Sequence, residues 1–81
     1  MTSMWGYYRA SSFNVDNAGN DILWINAYVE SPLGNSPFKN DHYLLITTYD
    51  RSGNGFQVAI SQRNGIKSRY KVSQEAWVEW I

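Results

Sequence analysis

The fold of this chain is decided near its end, where residues 56–72 read FQVAISQRNGIKSRYKV. From residue 66 onward, apolar or small side chains alternate with the cations Lys67, Arg69 and Lys71. A period of two is typical of a half-buried β-strand, because successive side chains point to opposite faces. We therefore predict that the three cations face water. The side chains predicted to face a core are Ile66, Ser68, Tyr70 and Val72.

The first half of this stretch predicts the partner strand of a β-hairpin. Residues 56–61 also alternate, and a two-residue loop at Asn64-Gly65 would place the cations on the same face as the apolar residues of that strand. A three-residue loop, Arg63 to Gly65, with Gly65 in the left-handed region as a bulge, avoids this mixing. The register that follows pairs Ile60 with Ser68, Val58 with Tyr70 and Phe56 with Val72.

Three further strands are predicted upstream, at residues 5–15, 22–30 and 42–49. Clusters of turn-forming residues at 16–20 and 50–55 separate the strands. The loop at 31–41 is longer than the usual two to six residues. We predict one mainly β domain over residues 1–81, on the margin of the α+β class. Its sheet is expected to be a five-stranded antiparallel meander curled toward a small barrel.

The last nine residues, 73–81, favour a short helix that closes an apolar face of the sheet. At 100° per residue their apolar side chains fall on one arc of about 200°, whereas Glu75 and Glu79 point the other way. Ser73 is a suitable N-cap, and an acid in the first turn favours the helix dipole. The side chains on the predicted apolar arc are Ala76, Trp77, Val78, Trp80 and Ile81.

The composition of the chain is rich in aromatic residues and has no cysteine. Four Trp, six Tyr and three Phe occur in 81 residues, together with a single histidine. Disulfides and thiolate metal sites are therefore excluded, and we expect neither a metal nor a cofactor. A domain of this size has a thin stability margin, which aromatic burial or a subunit interface can improve. A homodimer is one such solution.

The charge of the chain is balanced overall but uneven along its length. Seven Lys and Arg balance seven Asp and Glu, so no net charge attracts the chain to nucleic acid or to an anionic membrane. Residues 51–71 nevertheless hold five basic and no acidic residues. No apolar run is long enough to span a membrane and no signal peptide is evident, so we expect no membrane association and a cytoplasmic location.

No group of residues in the sequence predicts catalysis. His42 lies between Asp41 and Tyr43, but neighbours in a strand point to opposite faces and do not converge. Gly53 and Gly55 join two antiparallel strands, whereas a phosphate-binding loop needs a helix behind it. We therefore expect a chain that is not an enzyme.

The aromatic surplus favours a binding module that acts by protein-protein contact, such as an inhibitor or an adaptor. A small two-layer domain cannot bury every ring, and exposed Tyr and Trp are enriched at binding hot spots. Phe38 in the long loop is expected to project as an anchor. The predicted partner-binding residues are Trp24, Tyr28, Phe38 and Tyr43.

The alternative is single-stranded nucleic-acid binding by a small sheet of the OB or SH3-like kind. Cations on one face of a strand are spaced by about 6.6 to 6.8 Å, which suits an extended backbone, and nearby rings could stack bases. Charges on a solvent-facing edge strand also prevent edge-to-edge aggregation, which explains the same pattern without a ligand. The residues predicted for this alternative are Arg63, Lys67, Arg69 and Lys71.

Overall fold

A computed structural model describes residues 6–8, 14–26 and 35–81 of the chain. Its strands are β1 (Gly6–Tyr8), β2 (Asp21–Asn26), β3 (His42–Tyr49), β4 (Gly55–Ser61) and β5 (Gly65–Lys71). A 3₁₀ turn, Val15–Asn17, precedes β2. The prediction of a mainly β domain with an antiparallel sheet is confirmed.

The sheet has the order β1-β2-β3-β4-β5, and over the described residues it is open. Strands β2 to β5 form a four-stranded antiparallel meander. The prediction of five antiparallel strands is wrong at β1, which is three residues long and pairs with β2 in parallel. Most of the predicted first strand and residues 27–30 of the predicted second strand lie outside the described residues.

The β4–β5 hairpin forms where the sequence predicts it, but its register differs by two residues. Ser61 pairs with Gly65, so the three loop residues are 62–64. The Ser61 hydroxyl accepts hydrogen bonds from the amides of Arg63 and Asn64, at 3.1 and 3.0 Å, which fixes the turn one residue earlier than predicted. Gly65 then begins β5 at φ 85°, a value that favours glycine. The observed pairs are Phe56 with Tyr70, Val58 with Ser68 and Ile60 with Ile66.

The predicted sidedness of the hairpin is inverted. Arg69 is buried with 5% of its surface exposed, whereas Tyr70 is 46% and Ile66 is 66% exposed. Lys67 and Lys71 share the strand face of Arg69, and both are half-buried. Alternation separates the two faces correctly, but the face that carries the cations is the one that turns toward the core.

The core lies on this inner face of the sheet, which is made by the odd-numbered residues of β2 to β5. The long loop, the 3₁₀ turn and the segment after it supply three side chains that cover the face. The core side chains form one cluster: Val15, Ala18, Leu23, Ile25, Phe38, Tyr43, Leu45 and Ala59.

The predicted C-terminal helix is absent, and residues 78–81 run beside β5 instead. The Ile81 amide donates to the Ser68 carbonyl at 2.9 Å, and the Ser68 amide donates to the Ile81 carbonyl at 3.2 Å. The Val78 amide donates to the Tyr70 carbonyl at 3.0 Å. A nine-residue helix is marginal in isolation, whereas the edge of β5 offers unpaired backbone groups that the extended segment satisfies. Ser73, the predicted N-cap, lies in the preceding turn at φ 49°.

The turn between β3 and β4 forms as predicted and is held by one carboxylate. Asp50 accepts hydrogen bonds from the amides of Ser52 and Asn54, and Gly53 has φ 88°. The side-chain hydrogen bond from Asn54 is the main reason that the pKa of Asp50 lies below its usual value. No helix in the described part of the chain is long and apolar enough to cross a membrane.

Candidate functional site

The outer face of the sheet, opposite the core, is formed by the even-numbered residues of β2 to β5. The register places these residues side by side across the four strands. None of those with described side chains is Asp, Glu, Lys or Arg. They are Ile22, Trp24, His42, Leu44, Ile46, Thr48, Phe56, Val58, Ile60, Ile66, Ser68 and Tyr70.

Large apolar side chains are exposed at the β4–β5 end of this face. Phe56 is 60% exposed, and it lies directly opposite Tyr70. Val72, the residue after β5, is half exposed. We call the following exposed side chains the outer patch: Phe56, Ile60, Ile66, Tyr70 and Val72.

The outer patch is large for a chain of this size. Two aromatic and three aliphatic side chains at these exposures present on the order of 500 Å² of apolar surface. The largest apolar patch on a typical monomeric protein covers about 300 to 600 Å², and such patches are often functional. The outer patch is therefore the strongest candidate for an interaction surface.

The inner face holds the opposite chemistry, a buried network around Arg69. The Arg69 Nε donates to the Gln57 Oε1 at 2.7 Å, and one terminal nitrogen forms a 2.6 Å ion pair with Asp16. Its guanidinium carbon lies 4.7 Å from the centre of the Trp77 ring and 4.4 Å from that of Trp80. Planar guanidinium groups suit both kinds of contact, so the charge is paired although it is buried.

The Gln57 side chain extends this network to the rest of the core. Its Nε2 donates to the Val15 carbonyl at 2.8 Å and to the Thr47 hydroxyl at 3.1 Å. Every buried side-chain nitrogen and oxygen in the described part of the chain has a hydrogen-bond partner. Burial of these polar groups is therefore compatible with stability.

A groove of about 380 Å³ lies beside the Arg69 network. Its walls include Asp16, Asn35, Trp77 and Trp80, and the Trp80 indole donates to the Asn35 carbonyl at 2.8 Å. Because Asp16 already neutralises Arg69, the groove offers no free charge from that pair. Among the described residues, no three His, Asp or Glu are grouped in a way that could hold a metal ion.

Asp41 is the second buried charged residue and ties the long loop to the β4–β5 turn. The Ser61 hydroxyl and the Asn64 amide group each donate to its carboxylate at 2.6 Å. The His42 backbone amide donates at 2.8 Å. Burial alone would raise the pKa of Asp41, but these hydrogen bonds and nearby Arg63 outweigh it, so the pKa lies below its usual value.

Two of the predicted partner-binding residues belong to the core. Phe38 is 5% exposed, so the expectation that it projects into solvent is wrong. Its ring packs edge-on against Tyr43, with 5.4 Å between the ring centres. Tyr43 is fully buried, its hydroxyl lies 2.6 Å from that of Ser36, and burial raises the pKa of its phenol to about 12. Burial of the Phe38 ring holds the described part of the loop against the core.

The other two predicted partner-binding residues differ in their placement. Trp24 is half-buried on the outer face, where its ring centre lies 5.1 Å from that of His42. Tyr28 lies outside the described residues. Trp24 is therefore the one predicted residue that the described structure places on the same face as the outer patch.

The predicted row of water-facing cations does not form. Arg69 is buried, the Lys67 ammonium lies 5.5 Å from the centre of the Phe38 ring, and the Lys71 ammonium lies 5.8 Å from that of Tyr49. Arg63 is exposed, but it lies in the turn between the strands. Single-stranded nucleic-acid binding stays a prediction, and it would have to proceed without Arg69.

Sequence reasoning assigned the outer patch to the core. The polar residues of β4 could have revealed this placement. Gln57 and Ser61 lie on the same face of the hairpin as the cations of β5. Polar partners on the same face as Arg69 indicate that its charge can be satisfied inside the fold.

Comparison of the chain with protein-family models, with curated proteins and with solved structures finds no match.

Proposed function

We propose that this chain is a small non-enzymatic binding module that acts by protein-protein contact, as an inhibitor or an adaptor. The observation that supports the proposal is the outer patch, an exposed apolar surface on a face without formal charge. Exposure of apolar surface to water is unfavourable, so binding of a partner that covers this surface lowers the free energy.

The centre of the proposed contact is the cross-strand pair of Phe56 and Tyr70. Aromatic residues bury a large area with few rotatable bonds, and they dominate the energetics of many interfaces. Both rings stand on paired strands of the sheet, so little backbone ordering accompanies binding. The proposal moves the binding role from the predicted set of aromatic residues to the β4–β5 end of the outer face.

The proposal is tested by capture with a tagged chain. The chain is expressed in its source cell, and the extract is supplemented with an untagged copy of the same chain. Wild type is compared with Ile66→Lys, which places a charge in the outer patch, and with Gln62→Lys, which adds the same charge in the exposed turn. We expect wild type and Gln62→Lys to retain the same protein and Ile66→Lys to lose it.

Circular dichroism and thermal melting show whether the two variants remain folded. A wild-type chain that retains nothing, or an Ile66→Lys variant that is folded and retains the same protein as wild type, contradicts the proposal.

A further inference from the structure

We infer that the partner of the outer patch is a second copy of this chain, packed face to face in a two-fold symmetric dimer. The inference rests on the proposed function, because it names the partner of the same surface. Four features of the structure support a second copy: the distribution of charge, the state of the sheet edge, the relief of the face and its area.

The charge distribution removes the usual obstacle to self-association. In a two-fold interface a residue near the axis meets its own copy, so any charged residue there faces a like charge. All formally charged residues of β2 to β5 point to the inner face: Asp21, Lys67, Arg69 and Lys71. On these four strands the outer face therefore presents no formal charge that self-association would place beside a like charge or desolvate.

The β5 edge is not free for edge-to-edge pairing with a second copy. Edge-to-edge pairing needs free amide and carbonyl groups along β5. Residues 78–81 already use the amide and carbonyl of Ser68 and the carbonyl of Tyr70. A second copy is therefore directed to the face of the sheet rather than to this edge.

The relief of the face suits packing against itself. The Phe56–Tyr70 and Ile60–Ile66 pairs flank the smaller Val58–Ser68 pair, and successive pairs are about 6.8 Å apart along the strands. A two-fold axis perpendicular to the strands places one of the two large pairs of one copy over the Val58–Ser68 pair of the other copy. The reciprocal contact follows by symmetry. Two sheets packed in this way lie about 10 Å apart.

The area of the face is adequate for a dimer. A standard interface buries about 800 Å² on each subunit. The outer patch supplies more than half of this area, and the rest comes from half-buried apolar residues on the same face of the sheet. These are Ile22, Trp24, Leu44, Ile46 and Val58.

The dimer is tested by measuring the mass of the full chain in solution. Sedimentation equilibrium and light scattering, from low micromolar to several hundred micromolar chain, are expected to show twice the 9.3 kDa mass of one chain for wild type. Ile66→Lys and Ser68→Glu each place a charge on the outer face, and Gln62→Lys is the control. We expect Gln62→Lys to dimerise like wild type and the two face variants to dissociate at least 100-fold more readily.

Each outcome decides between the two proposals. A wild-type chain that is monomeric at the highest concentration overturns the dimer, while the capture experiment still decides whether a different protein binds the outer patch. A dimer that persists unchanged in both Ile66→Lys and Ser68→Glu overturns the dimer interface, while the capture experiment with Ile66→Lys still decides the proposed use of the outer patch. Two variants are used so that misfolding of one, detected by circular dichroism, still leaves a decisive measurement.

Discussion

In most β-hairpins the apolar side chains are buried and the polar ones are exposed. The β4–β5 hairpin shows the opposite arrangement. The inner face buries Arg69 and Gln57, whereas the outer face exposes Phe56 and Tyr70. The polar residues tolerate burial because each of their buried polar groups has a hydrogen-bond partner. The apolar residues of the outer face remain exposed to solvent. Side-chain polarity alone therefore does not decide which face of this hairpin is buried, because satisfied hydrogen bonds allow polar residues to lie beside the apolar core.

The strongest test of this comparison removes Arg69. We expect Arg69→Ala to lower the free energy of unfolding by about 4 kcal/mol, because it leaves the Gln57 side-chain carbonyl without its Arg69 donor and removes the ion-pair partner of Asp16. Urea unfolding measures the change. The matched control is Arg51→Ala at an exposed position, which is expected to change stability by less than about 0.5 kcal/mol. A loss below about 1 kcal/mol for Arg69→Ala would mean that the network does not stabilise the fold.

A matched pair of phenylalanine truncations compares the two faces directly. Phe38→Ala is expected to destabilise the chain by about 3 kcal/mol, because it leaves a cavity beside Tyr43. Phe56→Ala is expected to change the unfolding free energy of the monomer by less than about 1 kcal/mol, since its ring is mostly exposed. Urea unfolding is measured at low protein concentration, so that the chain is monomeric during the measurement. Equal losses for the two variants would break the distinction between the faces.

The close contact between the C-terminal segment and the inner face is tested at Gly55. A Cβ atom at this position would lie 2.9 Å from the rings of Trp77 and Tyr49. We expect Gly55→Ala to destabilise the fold by about 2 kcal/mol and to change the tryptophan emission. Gly19→Ala, where a Cβ atom has no neighbour within 4 Å, is the control with little expected effect. An unchanged emission spectrum in Gly55→Ala would contradict the packing of Trp77 against β4.

The smallest expected effect concerns the pH dependence that Asp41 gives to stability. Because the pKa of Asp41 in the folded chain lies below its ordinary value of 3.8, the unfolded state binds a proton more readily. Its contribution is therefore present above about pH 4 and is lost as the pH falls through the lower folded pKa. At pH 7, Asp41→Asn is expected to cost about 1 kcal/mol.

The measurement is the unfolding free energy of wild type and Asp41→Asn between pH 6 and pH 2.5. The difference between the two chains should shrink as the solution becomes more acidic. A difference that stays constant over this range would show that the Asp41 carboxylate does not carry the stabilisation.

Much of the secondary structure was predictable from local patterns. The predicted strand at 42–49 coincides with β3, and the hairpin turns after Tyr49 and Ser61 form near the predicted turn residues. These features depend on alternation and on turn-forming residues that act within a few positions of one another. The C-terminal segment was not predictable in the same way, because its conformation depends on a free edge of β5.

The candidate site could be predicted only in its general chemistry. The number of rings predicts that some of them are exposed, and the outer patch contains two exposed rings, Phe56 and Tyr70. The predicted anchor Phe38 is buried because the loop that carries it folds onto the core beside Tyr43. Composition reports how many rings a chain has, but not which of them are exposed.

The sequence by itself determined that β4 and β5 form a hairpin whose two faces differ in chemistry. Only the tertiary structure decided which face is buried, because the ion-pair partner of Arg69 and the rings that cover it come from outside the hairpin. Asp16 precedes Arg69 by 53 residues, and Trp77 and Trp80 reach it from the C-terminal segment. Side-chain alternation is a local property, whereas the cost of burying a charge depends on the partners that the whole fold brings to it.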